Sequence, residues 1–338
     1  MQRISGNLDG GLIVAARRLV EGALGLVPGE RLVIVFDRAH EDIAQVLADV
    51  AIVAKATALP FRLDDLGARP HAHLHDVVAH AIAGAQASVL LIDFQEGELQ
   101  MRAELVELAA RHRLRHGHMV GVGRASLVAG FAVDPHRIAE KARALLVRLR
   151  PEARISVRSA AGTDIAVSLS PGGRWQEHGC IVPPGKRVNL PGGELVTSPD
   201  VVSGVYVANG TMGDADGVLR RSLQNTPITL RLAHSRVQAV ECAADPGLAR
   251  SVSERIMRTA NLDRVGLVGF GLNTGLSAPV GDIFTDQKVP GVHLSLGETF
   301  PDRTGAAWTS KSWIAFTSRD ADVDIDKLPV LRGGRYVI

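Results

Sequence analysis

Two glycine-rich stretches hold the side chains that are best suited to chemistry in this sequence. Residues 189–199 read NLPGGELVTSP and place Glu194 directly after two glycines. Residues 265–297 place His293 in an apolar run that ends in glycine. Glycine lets the backbone turn through positive φ or approach a ligand closely. A carboxylate and an imidazole in such surroundings are typical of a site on a rigid scaffold, and both are groups that bind metals or transfer protons.

These stretches resemble the aminopeptidase T-type leucyl aminopeptidases, a family of two-metal peptidases. One relative of the family uses a single iron ion to open the ring of dihydroxypyridines. The family pattern N-x-P-x-G-E, then G-E-L-G-x-G-x-N, then H-x-A-L-G-x-x-Y is matched best at 189–199 and 265–297, and the resemblance extends over roughly residues 119–338. It implies that Glu194 occupies the position of the first metal-binding glutamate and His293 that of the strand histidine. It also implies a homodimer.

The sequence departs from the family at the other metal positions. Leu267 stands in place of a second glutamate, Phe300 in place of a tyrosine, and Gln287 in place of a further carboxylate. The family's H-x-D pair corresponds to Ser312 and Ile314. A catalytic zinc needs about three protein ligands, and a two-metal site needs more. We therefore expect a fold that has lost its metal chemistry, with no catalytic residue, no bound metal and no other cofactor, and with Glu194 and His293 as relic ligands.

The hypothesis that follows is a non-catalytic peptide-binding protein, which holds a precursor peptide for a partner enzyme that makes a peptide natural product. The alternative is a metal-dependent aminopeptidase or ring-cleaving dioxygenase, in which Asp286, Glu298 or Asp302 rebuilds a metal site with the two retained ligands. A metal-free enzyme with His293 as general base is a third hypothesis, although no activated nucleophile accompanies it. The predicted peptide-binding residues are Asn189, Gly192, Gly193, Glu194, Asn273, Lys288, His293, Phe300, Arg303, Trp308, Ser312 and Trp313.

Composition limits the classes of function. The 338 residues are enough for two domains. Lys and Arg number 38 against 36 Asp and Glu, and the resulting net charge of +2 argues against a nucleic-acid partner. Two cysteines, Cys180 and Cys242, define no disulfide framework. No apolar run reaches the roughly 18–20 residues that cross a bilayer, and the start of the chain lacks the apolar core of a signal peptide. We therefore expect a cytoplasmic protein without a membrane partner.

The order of elements predicts an α/β fold. Strands at 31–36 and 88–94 alternate with helices at 12–26, 40–58 and 98–112, which indicates a parallel sheet. After residue 153 the pattern changes to short strands and glycine turns. We expect an N-terminal α/β domain at 1–152 and, at 153–338, a β-rich α+β domain that resembles the aminopeptidase T-type catalytic domain.

Acids and histidines also occur in the N-terminal part. Asp37 follows one predicted strand and Asp93 lies near the end of the other, at the edge of a parallel sheet where ligands bind, but helix capping is the favoured interpretation. The histidines at 71, 73, 75 and 80 predict a solvated loop that leads into a helix in preference to a metal site. Residues 320–326 predict an exposed hairpin.

Overall fold

The computed structural model describes residues 10–338. The chain forms two compact units. One contains the residues up to Ala139 together with Gly179–Gly192, and the other contains Glu140–His178 and Gly193–Ile338. A segment of 14 residues therefore returns to the first unit, whereas the predicted domain limits contain one break after residue 152. Those limits stay a prediction.

The helices are α1 (Gly10–Arg17), α2 (Glu41–Val53), α3 (Asp76–Ala83), α4 (Leu99–Arg111), α5 (Arg124–Gly130), α6 (Pro135–Leu146), α7 (Pro246–Arg258), α8 (Ile283–Asp286) and α9 (Pro301–Thr304). The first strands are β1 (Arg31–Phe36), β2 (Thr57–Arg62), β3 (Ala87–Ile92), β4 (Arg115–Val120), β5 (Arg154–Ser159), β6 (Asp164–Leu169), β7 (Gln176–His178), β8 (Lys186–Asn189), β9 (Glu194–Thr197) and β10 (Pro199–Ala208). The remaining strands are β11 (Thr211–Asp214), β12 (Arg221–Ser222), β13 (Ile228–Ala233), β14 (Arg236–Glu241), β15 (Val265–Gly271), β16 (Gly291–Gly297), β17 (Trp313–Phe316), β18 (Ala321–Ile325), β19 (Leu328–Arg332) and β20 (Arg335–Tyr336).

The first unit is a parallel sheet with helices on both faces. Its strand order is β2-β1-β3-β4-β8, and each neighbouring pair is parallel. Alternate side chains of β1 enter two separate cores: Leu32 and Ile34 pack with α1 and α2, and Val33 and Val35 pack with α3 and α4. A strand covered on both faces is apolar throughout, which explains the RLVIVF run.

The helix predicted at 40–58 ends early. Buried residues recur at helical spacing in α2 from Ile43 to Ala51, but Lys55 takes a left-handed backbone conformation with φ of 61°. Because this conformation cannot continue a helix, the chain turns. Residues 57–62 then form β2, an edge strand that the sequence analysis missed.

The second unit consists mainly of two antiparallel sheets. The eight-stranded sheet has the order β14-β13-β10-β6-β5-β18-β19-β20, and the seven-stranded sheet has the order β12-β11-β17-β16-β15-β9-β7. The buried Tyr206 of β10 connects them, because its hydroxyl lies 3.1 Å from the carbonyl oxygens of Val292 and Phe316. A parallel α/β unit and a β-rich unit confirm the predicted fold class.

The hairpin predicted at 320–326 is formed by β18 and β19. Its turn is at Asp326 and Lys327, which have φ of 51° and 66°. The prediction that this hairpin is exposed was wrong. Strand β18 lies between β5 and β19, and its alternate residues Ala321, Val323 and Ile325 are buried. No helix within residues 10–338 has both the length and the apolarity needed to cross a membrane.

Candidate functional site

The glycines of 265–297 allow close backbone packing around the candidate site. A Cβ atom at Gly271 would lie 1.8 Å from the carbonyl oxygen of Val289. Gly297 has φ of 92°, and a Cβ atom there would lie 2.2 Å from the carbonyl oxygen of Ser312. Only glycine fits such positions. Glycine is therefore required at these positions because the ends of β15 and β16 pack directly against neighbouring backbone.

Strand register brings the two retained family residues to one face of the seven-stranded sheet. Glu194 of β9 is paired with Gly271 of β15, and His293 of β16 is paired with Gly269 of β15. Directly paired residues of antiparallel strands share a face, and residues two apart on one strand do so too. Leu267 is paired with Ser295 and therefore belongs to the same face. An apolar side chain thus stands on this face where the family resemblance implies a carboxylate.

Glu194 is a buried carboxylate that contacts two side chains, one ammonium and one imidazole. Its Oε1 atom lies 2.7 Å from Nζ of Lys288 and 2.6 Å from Nδ1 of His178. The side chains of Glu194 and Lys288 are each only 7% exposed. Burial raises the pKa of Glu194, but the lysine and the histidine outweigh it and lower that pKa to about 2. Glu194 is therefore an ionised group at neutral pH, with an ammonium as its nearest positive charge.

His293 is a core histidine with both ring nitrogens occupied. Its Nε2 donates to the carbonyl oxygen of Val289 at 2.8 Å, and its Nδ1 accepts from the backbone N–H of Ser318 at 3.3 Å. The residue is 4% exposed. Burial lowers the pKa of His293 to about 4, although the hydrogen bond to Val289 and the charge of Glu194 act in the opposite direction. The neutral ring therefore has no lone pair left for a metal or a proton.

One of the acids that the alternative hypothesis names, Asp286, is used elsewhere. Asp286 is fully buried, and its carboxylate accepts from the Thr211 hydroxyl at 2.5 Å and from the N–H groups of Val280 and Gly281 at 2.7 and 2.9 Å. Burial raises the pKa of Asp286. In the part of the chain that the structure describes, Glu194 is in no group of three ligand atoms from His, Cys, Asp or Glu that lie within 4.8 Å of one another. The residues present therefore do not fit the family's metal centre.

Five of the predicted peptide-binding residues lie in one segment, which we call the 298–313 loop. Its ends are held together by strand pairing of Gly297 with Trp313 and by the bond from the N–H of Glu298 to the carbonyl oxygen of Ser312, at 3.0 Å. Phe300 is 38% exposed and lies 5.7 Å from the Arg303 guanidinium. The five residues are Phe300, Arg303, Trp308, Ser312 and Trp313. The loop presents aromatic and cationic groups that are at least partly accessible.

Two side chains near His178 donate hydrogen bonds to the backbone of the 298–313 loop. The side chain of Gln176 in β7 donates to the carbonyl oxygen of Arg303 at 2.7 Å, and Arg174 donates to the same oxygen at 3.0 Å. His178 follows two residues after Gln176 and contacts Glu194. The loop and the buried carboxylate are therefore linked through one short strand.

The remaining predicted residues fall into two groups. Gly193 and Asn273 lie beside Glu194 and Lys288: the N–H of Asn273 donates to the Lys288 carbonyl oxygen at 2.9 Å, and Gly193 accepts from Leu272. Asn189 and Gly192 belong to the other unit, where Asn189 is the last residue of β8 and is exposed. The role of each in peptide binding stays a prediction.

Sequence reasoning missed His178. It stands in the short polar stretch QEH, and its contact with Glu194 depends on the pairing of β7 with β9. That pairing joins residues 16 positions apart and has no local signal in the sequence. Lys288 is one of the predicted peptide-binding residues, but its ammonium contacts the carboxylate of Glu194.

Comparison with solved structures identifies the fold. The 2,5-dihydroxypyridine dioxygenase from Pseudomonas putida KT2440 superposes with a TM-score of 0.62 and 15% identity, over 96% of each chain. Wild-type AmpT from Thermus thermophilus, an aminopeptidase T, superposes with a TM-score of 0.60 and 18% identity, over 97% of this chain and 99% of that one. This chain has the aminopeptidase T fold. The sequence matches no family model and no curated protein. The aminopeptidase T fold is thus shared, but sequence identities of 15% and 18% are too low to transfer the roles of individual residues to this chain.

Proposed function

We propose that this protein binds peptides without cleaving them, on the aminopeptidase T fold. The observation that carries the proposal is the ion pair between Lys288 and Glu194, at 2.7 Å and with both side chains 7% exposed. The family resemblance implies a metal cation beside this glutamate. An ammonium that is covalently part of the chain neutralises the carboxylate permanently, so the fold is stabilised there without a metal. Unlike a metal ion, an ammonium offers no open coordination position to a substrate oxygen or a water molecule.

The other family positions support the same proposal. Leu267 has no ligand atom, and both nitrogens of His293 are occupied by backbone groups. The metal-free alternative needs a basic nitrogen that faces a substrate proton, and the His293 ring has none available. We therefore assign His293 a structural role in β16.

The 298–313 loop is the surface that we propose for the peptide. Aromatic and arginine side chains account for much of the energy at binding interfaces. Trp308 and Trp313 suit apolar peptide side chains, and Arg303 suits a carboxylate. The proposal extends to the setting inferred from the sequence: a cytoplasmic homodimer that holds a precursor peptide for a partner biosynthetic enzyme.

The experiment that tests peptide binding uses the full chain and an array of dodecapeptides with free and acetylated N-termini. Hits are then titrated by calorimetry against Trp308→Ala and Arg303→Ala. We expect each substitution to weaken binding by about tenfold or more, a loss of about 1.4 kcal/mol. Phe94→Ala is the matched control, because Phe94 is an aromatic residue of the first unit that is 58% exposed. Failure of every peptide to bind, or equal losses in the control, overturns the proposal.

The same preparation tests turnover. A leucyl chromogenic amide is supplied with zinc or manganese, and 2,5-dihydroxypyridine is supplied with iron(II) and oxygen. We expect no metal-dependent product above the rate without protein. Turnover that disappears in Glu194→Gln would instead establish a rearranged metal enzyme and refute the non-catalytic proposal.

A further inference from the structure

A second cluster of polar side chains lies in the first unit, at the point where its strand order reverses. From β1 the chain adds β2 on one side, and then crosses to add β3 and β4 on the other. In open α/β sheets of this kind, ligands bind outside the carboxyl ends of the strands that flank the reversal. Asp37 directly follows β1 and Asp93 directly follows β3. The topology therefore brings both carboxylates to the edge of the sheet that most often binds ligands.

Asp37 is buried, and both oxygens of its carboxylate accept hydrogen bonds. Its Oδ1 atom accepts from Nδ1 of His40 at 2.5 Å, while Oδ2 accepts from Arg69 at 2.6 Å and from the N–H of Asp93 at 2.7 Å. Burial raises the pKa of Asp37, but these three partners lower it below its usual value. The predicted capping role is wrong, because the Asp37 side chain caps no backbone N–H at the start of the following helical turn. Its contacts instead fix the orientation of the His40 ring.

His40 has one nitrogen that is oriented and unused. The residue is 4% exposed, and Nδ1 is bound to Asp37. Among the described residues, Nε2 makes no hydrogen bond, and its nearest carboxylate oxygen is Oδ1 of Asp93 at 4.0 Å. The Asp93 side chain is 63% exposed and has no arginine or lysine within 4.0 Å in residues 10–338. An imidazole nitrogen and an unpaired carboxylate therefore face each other at the solvent boundary.

We propose that Nε2 of His40 and the carboxylate of Asp93 bind a divalent transition-metal ion of the zinc class. Imidazole is a preferred ligand of zinc and its first-row neighbours. Histidine ligands commonly donate their other ring N–H to a carboxylate, which is the contact that Asp37 makes with Nδ1. Asp37 itself lies outside the coordination shell, because Arg69 and the backbone occupy its second oxygen. Water completes the shell on the exposed side.

The distances suit one ion. Zinc ligands at about 2.0–2.1 Å in a tetrahedral arrangement lie roughly 3.3 Å apart. The present separation of 4.0 Å between Nε2 and Oδ1 closes with a movement of less than about 1 Å by the exposed Asp93 side chain. One ligand atom from each of Asp37, His40 and Asp93 lies within 4.8 Å of the others. The two proposed ligands, His40 and Asp93, and the Asp37 carboxylate that orients His40 thus lie close together without a metal.

The test is a calorimetric titration of zinc chloride into the full, untagged chain after removal of metal by chelator. We expect one zinc per chain at this site. Asp93→Asn should weaken zinc binding at least tenfold, and His40→Gln should do the same. Asp93→Asn is the decisive variant, because the Asp93 side chain takes part in no hydrogen bond with residues 10–338 and its loss leaves the buried contacts intact. Circular dichroism verifies that each variant is folded.

The controls are two histidines in other environments. His73→Gln changes an exposed histidine that contacts Glu104 at 2.7 Å, and His178→Gln changes the partner of Glu194. Both should bind zinc as the unmodified protein does. An anomalous difference map from zinc-soaked crystals then locates the ion between His40 and Asp93. Equal affinity in Asp93→Asn, an ion at His73 or His178, or no zinc binding at all overturns the proposal. None of these outcomes bears on peptide binding by the 298–313 loop.

Discussion

Substitution of Lys288 by methionine tests the idea that an ammonium replaces a metal cation beside Glu194. The change removes the charge 2.7 Å from the carboxylate and keeps an unbranched side chain of similar length. Glu194 then stays buried, 7% exposed, with His178 as its remaining side-chain partner. Removal of one member of a buried ion pair costs about 3–5 kcal/mol, because the other charge is left uncompensated. We expect the free energy of unfolding to fall by about that amount at pH 7.

Urea unfolding followed by far-UV circular dichroism measures this loss. Lys311→Met is the matched control, since Lys311 is exposed, and it should change stability by less than about 0.5 kcal/mol. Adding Glu194→Gln to Lys288→Met should recover part of the loss, because the double variant buries no unpaired charge.

The pH dependence gives an independent check. The pKa of Glu194 is about 2 in the folded chain, below the ordinary value of 4.5. The stability contributed by the ionised carboxylate is therefore fully present above about pH 4.5 and is lost as pH falls through 2. The difference between Lys288→Met and the unmodified protein should shrink over that window. A loss below about 1 kcal/mol at pH 7, or a loss that is constant between pH 5 and 3, would refute the reasoning.

Three further predictions concern stability. Gly271→Ala should destabilise the second unit by several kcal/mol, roughly the cost of severe overpacking. The reason is that the new Cβ atom would lie 1.8 Å from the Val289 carbonyl oxygen. Gly172→Ala is the control in the same urea assay, because a Cβ atom there would have nothing within 4 Å. Asp245→Ala should cost about 1 kcal/mol, because this side chain accepts a hydrogen bond at the start of α7; Asp245→Asn should retain most of the stability. The pKa of His293 is about 4 against an ordinary 6.5, so stability from its neutral ring is complete above pH 6.5 and lost as pH falls toward 4. The loss should reach about 2 kcal/mol by pH 5, and His293→Gln should flatten that part of the profile; an unchanged profile contradicts the assignment.

The sequence predicted those elements whose signal is local. The strand at 31–36 has the predicted bounds, because a run of β-branched and large apolar residues favours a buried strand. The end of α2 was not predictable from periodicity alone. Apolar residues continue past Val53, and a single left-handed lysine decides where the helix ends.

The candidate site was predictable only in part, because its contacts join distant residues. The motif identified Glu194, but neither ion-pair partner follows from spacing. Lys288 is 94 residues away in the chain, and His178 contacts Glu194 only once β7 has paired with β9. The Asp37–His40 contact is local, yet its value as a ligand site depends on Asp93, which β3 supplies from 56 residues away.

The return of residues 179–192 to the first unit has a consequence for synthesis on the ribosome. Strand β8 pairs with β4 and completes the parallel sheet, but β5, β6 and β7 lie between them in the chain. The parallel sheet of the first unit therefore cannot be completed when β4 leaves the ribosome. One edge of β4 stays unpaired until about seventy further residues have been made. A fragment that stops at residue 152 carries that open edge permanently. Nascent chains of this protein should accordingly depend on chaperones that shield strand edges until Asn189 has left the exit tunnel.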